Sequence, residues 1–128
     1  QRQPQVGETI DDIVSSGIEV TSDENHEVTY RTEVTPQMTN QLGTLSYGVF
    51  ISFVTEASGR LLRRLKKGDL VVENITVYFI KPVQLETKLE IKPRLLDLGR
   101  KSAKLDVEIY HEKSLVGKAL LMAQLIDR

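Results

Sequence analysis

Residues 46–66 read SYGVFISFVTEASGRLLRRLK, and this stretch decides the fold. Its first half is apolar on nearly every side of a helix, and its second half narrows to three leucines between basic residues. A helix that is apolar all round is a buried helix. Basic residues in the last turns suit the negative end of the helix dipole. The segment therefore predicts one long, buried helix.

Alternating apolar and polar residues in the rest of the chain indicate β-strands. A hairpin is predicted from residues 18–20 and 28–34, with residues 22–25 as its exposed turn. Further strands are predicted, as a meander of neighbours joined by short turns, over residues 70–81, 87–98, 103–111 and 115–126. Pro93 indicates an edge position or a bulge. The predicted class is α+β, with a long central helix wrapped by a curved antiparallel sheet of five to six strands.

The composition narrows the possible functions. The 128 residues suit one domain, and 17 Lys and Arg against 18 Asp and Glu give no field that would attract nucleic acid. Without cysteine and with only two histidines, neither a thiolate nucleophile nor a metal site is expected. No apolar stretch is long enough to cross a bilayer, so a soluble, cytoplasmic domain without membrane contact is predicted.

The start of the chain indicates a piece of a longer protein. Residues 1–16 carry apolar side chains at helical spacing and predict a short helical segment before a core of residues 17–128. The chain begins with Gln1 rather than Met. We expect a single domain, residues 1–128, cut from a larger multidomain protein.

Several short motifs occur in one order along the chain. They are Val34-Thr35-Pro36-Gln37-Met38-Thr39-Asn40 through Leu45-Ser46-Tyr47-Gly48, then Thr76-Val77-Tyr78-Phe79-Ile80-Lys81-Pro82, Leu98-Gly99-Arg100-Lys101 and Val116-Gly117-Lys118-Ala119. In this order they resemble the hotdog acyl-CoA thioesterases. More narrowly, the chain resembles the C-terminal hotdog domain of bacterial proteins that carry DRTGG and CBS domains.

The resemblance implies a chemistry for the start of the helix. In such thioesterases a Gly amide polarises the thioester carbonyl, and an acidic residue on the helix, often from the partner subunit, attacks or activates water. The family pattern Asn, His-Gly-Gly and a helix acid is matched here by Asn40 and Gly48. Ser46 and Tyr47 replace the His and the first Gly, and the acidic position falls on Thr55 with Glu56 beside it.

The implied catalytic residues each have a structural alternative. Gly48 presents an oxyanion-type amide, or it is small because helix and sheet pack closely there. Glu56 is a general base, or it forms an ion pair with Arg60 four residues on. Thr55 is a polar pocket residue, or its hydroxyl bonds back to the helix.

The implied substrate-binding residues are Asn40, Ser46, Tyr47, Lys81 and Arg100. Asn40 contacts the substrate carbonyl or bonds its own loop, and Ser46 bonds the ligand or caps the helix. Lys81 and Arg100 bind the phosphates of coenzyme A, or they belong to a solvated surface.

Three functions follow from the resemblance. The departures from the family pattern at Ser46, Tyr47 and Thr55 favour a ligand-sensing or regulatory module. Such a module binds acyl-CoA or a related thioester within a larger CBS-domain protein. The alternatives are an active acyl-CoA thioesterase and a domain that only dimerises the protein. A homodimer or dimer of dimers is expected in each case, and no cofactor is expected apart from the coenzyme A of the ligand.

Overall fold

The computed structural model describes residues 18–24, 27–65 and 69–126. The helical segment predicted for residues 1–16 lies outside this part of the chain. The predicted long helix is confirmed as α1, Tyr47–Leu65. A 3₁₀ turn, Pro36–Met38, precedes it. The strands are β1 (Glu19–Glu24), β2 (Glu27–Glu33), β3 (Asp69–Phe79), β4 (Lys88–Leu98), β5 (Ser102–His111) and β6 (Ser114–Ile126).

The six strands form one antiparallel sheet in the order β1-β2-β4-β5-β6-β3. The predicted meander is correct for β4, β5 and β6 and wrong for β3, which pairs with β6 and not with β4. The reason is that the break at Pro82 is not a tight turn. The Ile80 and Lys81 amides both donate to the Val116 carbonyl (3.0 Å each), and residues 80–87 carry the chain across to β4.

The predicted turn of the first hairpin is also wrong. β1 continues through Ser22, Asp23 and Glu24, which pair with Thr29, Val28 and Glu27 of β2. The connection between β1 and β2 is left to residues 25–26, outside the described part of the chain. β1 is an edge strand, where backbone pairing with one neighbour tolerates polar residues.

The edge position predicted for Pro93 is confirmed. β2 pairs with β4 only from Lys88 to Ile91, so at Pro93 the described strands offer a partner on the β5 side alone. A register shift follows between Leu95 and Asp97. A residue without a backbone donor fits such a local edge.

The core lies between one side of α1 and the inner face of the sheet. Phe53, Val54 and Leu61 of the helix are fully buried against alternate residues of the strands, among them Leu105 and Leu121. The opposite side of α1, with residues 51, 52, 55 and 56, is only half-buried. The helix is therefore covered on one side in a single chain, and not all round as its sequence indicates.

Gly117 is required for the close approach of α1 to β6. A Cβ added there would overlap the Phe50 ring and lie 3.2 Å from the Tyr78 carbonyl oxygen. The ring has little freedom to move, because Phe50 is 3% exposed. The backbone of β6 at Gly117 thus packs directly against the ring of Phe50 in the first turns of the helix.

Replacing Gly117 by Ala is expected to lower the free energy of unfolding by about 1–3 kcal/mol, because it overpacks this contact. Urea denaturation measures the loss. Gly48→Ala is the control, since nothing lies within 4 Å of a Cβ added at Gly48. An unchanged unfolding midpoint for Gly117→Ala would contradict the close packing.

Candidate functional site

The N-terminus of α1 is capped by Ser46. The Val49 N–H donates to Ser46 Oγ (3.2 Å), and the Phe50 N–H donates to the Ser46 carbonyl (3.0 Å). The Ser46 N–H in turn donates to the Met38 carbonyl (2.8 Å), which fixes the loop before the helix. This is the geometry of an N-cap residue. The capping alternative for Ser46 is thus the one that the structure forms.

Gly48 presents an open backbone amide in the first turn of α1. The residue is exposed, and within the described residues its N–H has no hydrogen-bond acceptor. An added Cβ would meet nothing within 4 Å, so close packing inside this chain does not explain the glycine. Unpaired N–H groups at a helix N-terminus attract partial negative charge.

A cleft of about 310 Å³ lies beside this turn. This junction cleft is lined by Asn40, Leu42, Thr44, Leu45, Tyr47, Phe50, Phe79, Ile80, Lys81, Pro82, Val83 and Val116. Three aromatic rings form a row along it: Tyr47 and Phe79 are 4.3 Å apart and Phe79 and Phe50 are 5.1 Å apart, between ring centroids. Among the described residues that line the cleft, Lys81 alone has a charged side chain. The cleft suits an apolar group joined to a negatively charged one.

The side chain of Asn40 organises the loop beneath the cleft. Its Oδ1 accepts hydrogen bonds from the Leu42 N–H (2.9 Å) and the Thr44 N–H (3.2 Å), and its Nδ2 donates to Thr44 Oγ1 (2.9 Å). Asn40 thus bonds its own loop, which is one of the two roles predicted for it. The residue also lines the junction cleft, so the loop bonds hold the amide at its edge.

A second concave surface, of about 580 Å³, runs along the half-buried side of α1. This helix groove is lined by Ser52, Thr55, Glu56, Gly59, Arg63, Asp69, Leu70, Val71, Val72 and Ile126. Thr55 Oγ1 donates to the Ser52 carbonyl (3.2 Å), and Glu56 Oε1 accepts from Arg60 Nε (2.9 Å). Both structural alternatives are formed, yet both side chains line the groove.

The two surfaces are separate in one chain. Glu56 follows Gly48 by eight residues, which is a rise of about 12 Å along a helix. Asn40, Tyr47 and Lys81 share the junction cleft, whereas Thr55 and Glu56 share the helix groove. A single chain therefore brings together two parts of the predicted site but does not join them.

Lys81 and Arg100 lie at opposite ends of the sheet. The Lys81 N–H is bonded to Val116, and the Arg100 turn is tied to the other end of β6, where the Leu125 N–H donates to the Lys101 carbonyl (2.8 Å). Nine residues of strand span about 30 Å. Within one chain the two cations do not meet at one phosphate.

Of the aromatic row, Tyr47 was predicted from the sequence as a substrate-binding residue, whereas Phe50, Phe79 and the groove residue Ser52 were not. Phe79 lies inside a motif from which only Lys81 was chosen, although its place at a strand end beside Pro82 was visible. Ser52 precedes Glu56 by four residues and Gly59 by seven, the spacing of one helix face. The described residues contain no group of three or more His, Asp or Glu side chains placed to bind a metal ion. Nor do they include a helix long and apolar enough to cross a membrane.

Comparison with known proteins identifies the family. The thioesterase superfamily profile matches residues 42–118, which include α1, β3, β4 and β5. The chain belongs to the thioesterase superfamily. It is 54% identical over 129 residues to the uncharacterized protein YtoI of Bacillus subtilis (strain 168). The match covers 100% of this chain and 29% of YtoI, so the chain spans less than a third of the length of this relative.

Several solved structures share the fold. A hypothetical thioesterase of Streptococcus pneumoniae TIGR4 with coenzyme A superimposes with a TM-score of 0.80 at 22% identity, covering 87% of this chain and 90% of that one. The protein smu.793 of Streptococcus mutans UA159, bound to acetyl CoA, gives 0.79 at 22% identity, covering 100% and 97%. Zebra fish thioesterase superfamily member 2 gives 0.80 at 23% identity, covering 90% and 86%. The hotdog fold of this domain is thereby confirmed.

Replacing Asn40 by Ala is expected to lower the free energy of unfolding by about 1–2 kcal/mol, because backbone donors in the loop lose their acceptor. Asn40→Asp keeps an acceptor oxygen and should lose less. Thermal and urea denaturation measure both, and hydrogen exchange at residues 42 and 44 should accelerate in Asn40→Ala alone. Identical exchange in the two variants would contradict the loop role.

Proposed function

We propose that this domain binds the thioester group of an acyl-CoA at the N-terminus of α1. The observation that carries the proposal is the exposed Gly48 amide, which has no acceptor among the described residues. A thioester carbonyl oxygen is a suitable acceptor, and the helix dipole favours the negative charge on it. Because the group is a backbone amide, the Ser46 and Tyr47 departures from the family pattern leave it in place.

The junction cleft supports the same ligand class. Its apolar lining suits the hydrocarbon parts of a thioester, and exposed Lys81 at its edge offers a charge for a phosphate. The S. pneumoniae relative contains coenzyme A and the S. mutans relative contains acetyl CoA. These two structures support an acyl-CoA ligand for this chain. In our proposal Asn40 and Tyr47 form the wall of the site.

We further propose a homodimer in which two β3 strands pair edge to edge. β3 is an eleven-residue strand at one edge of the sheet, and Val71 and Tyr78 on it are about half-exposed. Such an edge offers unpaired backbone groups to a second strand. Its first residues line the helix groove and Phe79 lines the junction cleft. Antiparallel pairing about a two-fold axis would place the helix groove of one chain beside the junction cleft of its partner.

The domain would act as a sensing module of a larger protein. YtoI is more than three times the length of this chain, which supports a multidomain setting. The resemblance to hotdog domains that follow DRTGG and CBS domains supports a regulatory role. In this proposal thioester occupancy is reported to the attached domains, and the arginine in the turn at residues 99–101 contacts coenzyme A from the partner chain.

A thioesterase activity is the second candidate. The specific observation in its favour is that Thr55 and Glu56 both line the helix groove, so a carboxylate is available on the side of α1 that a partner would approach. This carboxylate and the Gly48 amide of the other chain are the two groups that hydrolysis of a thioester needs. A dimerisation role alone requires neither group.

Gly48→Pro is the sharpest test of the proposed amide. Pro removes the N–H and is tolerated in the first turn of a helix, whereas Gly48→Ala keeps the N–H. Titration calorimetry with acetyl-CoA should show affinity lowered about tenfold or more in Gly48→Pro and little changed in Gly48→Ala. Circular dichroism and the unfolding midpoint control for folding. Equal affinity in both variants would refute the amide as the binding group.

Release of free thiol from a panel of acyl-CoAs tests the enzyme. If the domain hydrolyses thioesters, Glu56→Gln or Thr55→Ala should lower kcat by about 10²-fold or more. Gly48→Pro and Glu56→Gln subunits, mixed and refolded together, should regain about a quarter of wild-type activity, since half of the dimers are mixed and hold one intact site. A mixture no more active than its parents would exclude a site shared between chains. A domain with neither release nor affinity for CoA esters is left with dimerisation.

A further inference from the structure

Arg60 connects three separate parts of the domain. Its Nε donates to Glu56 Oε1 (2.9 Å) and its Nη1 donates to the Ile18 carbonyl (3.1 Å). Its guanidinium carbon lies 5.7 Å from the centroid of the Tyr30 ring. The contacts thus come from α1, from the residue before β1 and from β2. The ion pair with Glu56 is therefore one of three contacts that hold the Arg60 side chain, and it is more than an ordinary helix-surface contact.

Resting on the thioesterase activity proposed above, we propose that Arg60 is a positioning residue that aims the Glu56 carboxylate into the helix groove. The ion pair and the groove position were alternatives from the sequence, but the structure forms both at once. A Glu side chain on a helix surface samples several rotamers. A partner held on two further sides removes that freedom and leaves the carboxylate in one direction.

The chemistry of the guanidinium explains why Arg occupies this position. Its donors lie in a rigid planar fork, so bonds through Nε and Nη1 fix the plane of the group. Tyr30 is 1% exposed, and its ring lies under that plane where cation–π attraction acts. The ammonium of Lys is a point charge without this fork. It cannot hold the carboxylate, the carbonyl and the ring face in the same geometry.

The contact to Ile18 gives this arrangement a second consequence. Ile18 is 6% exposed, and its carbonyl is the acceptor where the chain enters β1. Arg60 therefore links the start of β1 to the groove carboxylate.

A double-mutant cycle tests the proposal. Arg60→Gln and Arg60→Lys are made in the wild-type protein and in Glu56→Gln, and kcat for thiol release is measured with acetyl-CoA. A wild-type domain that binds acetyl-CoA but releases no thiol would overturn the positioning role and leave the proposed binding intact, because Glu56 has no part in that binding. Arg60→Gln should lower the measured function about tenfold in the wild-type background, Arg60→Lys should lower it less, and neither should lower it further in Glu56→Gln.

The control is Arg64→Gln in the same helix. Arg64 is exposed and lines neither surface, so its replacement should change kcat less than twofold. The same fold-loss from Arg60→Gln in both backgrounds would overturn the positioning role, because it would show a general structural effect. A wild-type protein with neither turnover nor affinity would overturn the proposed function and this inference together. That outcome is distinct from additivity in an active protein.

Discussion

The packing of one side of α1 onto the inner face of the sheet is the contact on which the rest of the domain depends. Burial of each large apolar side chain contributes roughly 1.5–3 kcal/mol, and Phe50, Phe53 and Leu61 are all buried there. Phe50 follows Gly48 by two residues, and its ring packs directly against the backbone of Gly117. The same contact that closes the core therefore fixes where the open amide at the helix N-terminus lies.

The strand order gives β3 a special position. A meander would have placed β3 next to β4, but the crossing at residues 80–87 sends it to the far edge beside β6. One face of β3 covers the core while its edge stays open, and its two ends border the junction cleft and the helix groove. In the proposed dimer, this edge strand is the element through which the second chain would complete both surfaces.

The sequence predicted the elements better than their pairing. Periodicity located α1 and the last four strands to within two residues, because it reports local backbone geometry. The partner of β3 depends on contacts between residues about 38 to 57 positions apart, which no local pattern contains. Residues 22–24 of β1 were missed for another reason, because their polar side chains are typical of a turn. In the site, Asn40 and Ser46 followed from loop and cap chemistry, whereas the stacking of Tyr47 on Phe79 required the fold.

The departures from the family pattern act differently on binding and on catalysis. Ser46, at the position where the resemblance implies a His, caps the helix, and Tyr47 packs its ring on Phe79 beside the cleft. Neither change blocks the Gly48 amide, whose donor belongs to the backbone and does not depend on side-chain identity. Water activation, in contrast, needs one side chain in one direction, and in the proposed hydrolysis that side chain is Glu56, one residue after the position that the resemblance gives to Thr55. Of the two proposed activities, recognition of a thioester therefore depends less on side-chain identity than hydrolysis does.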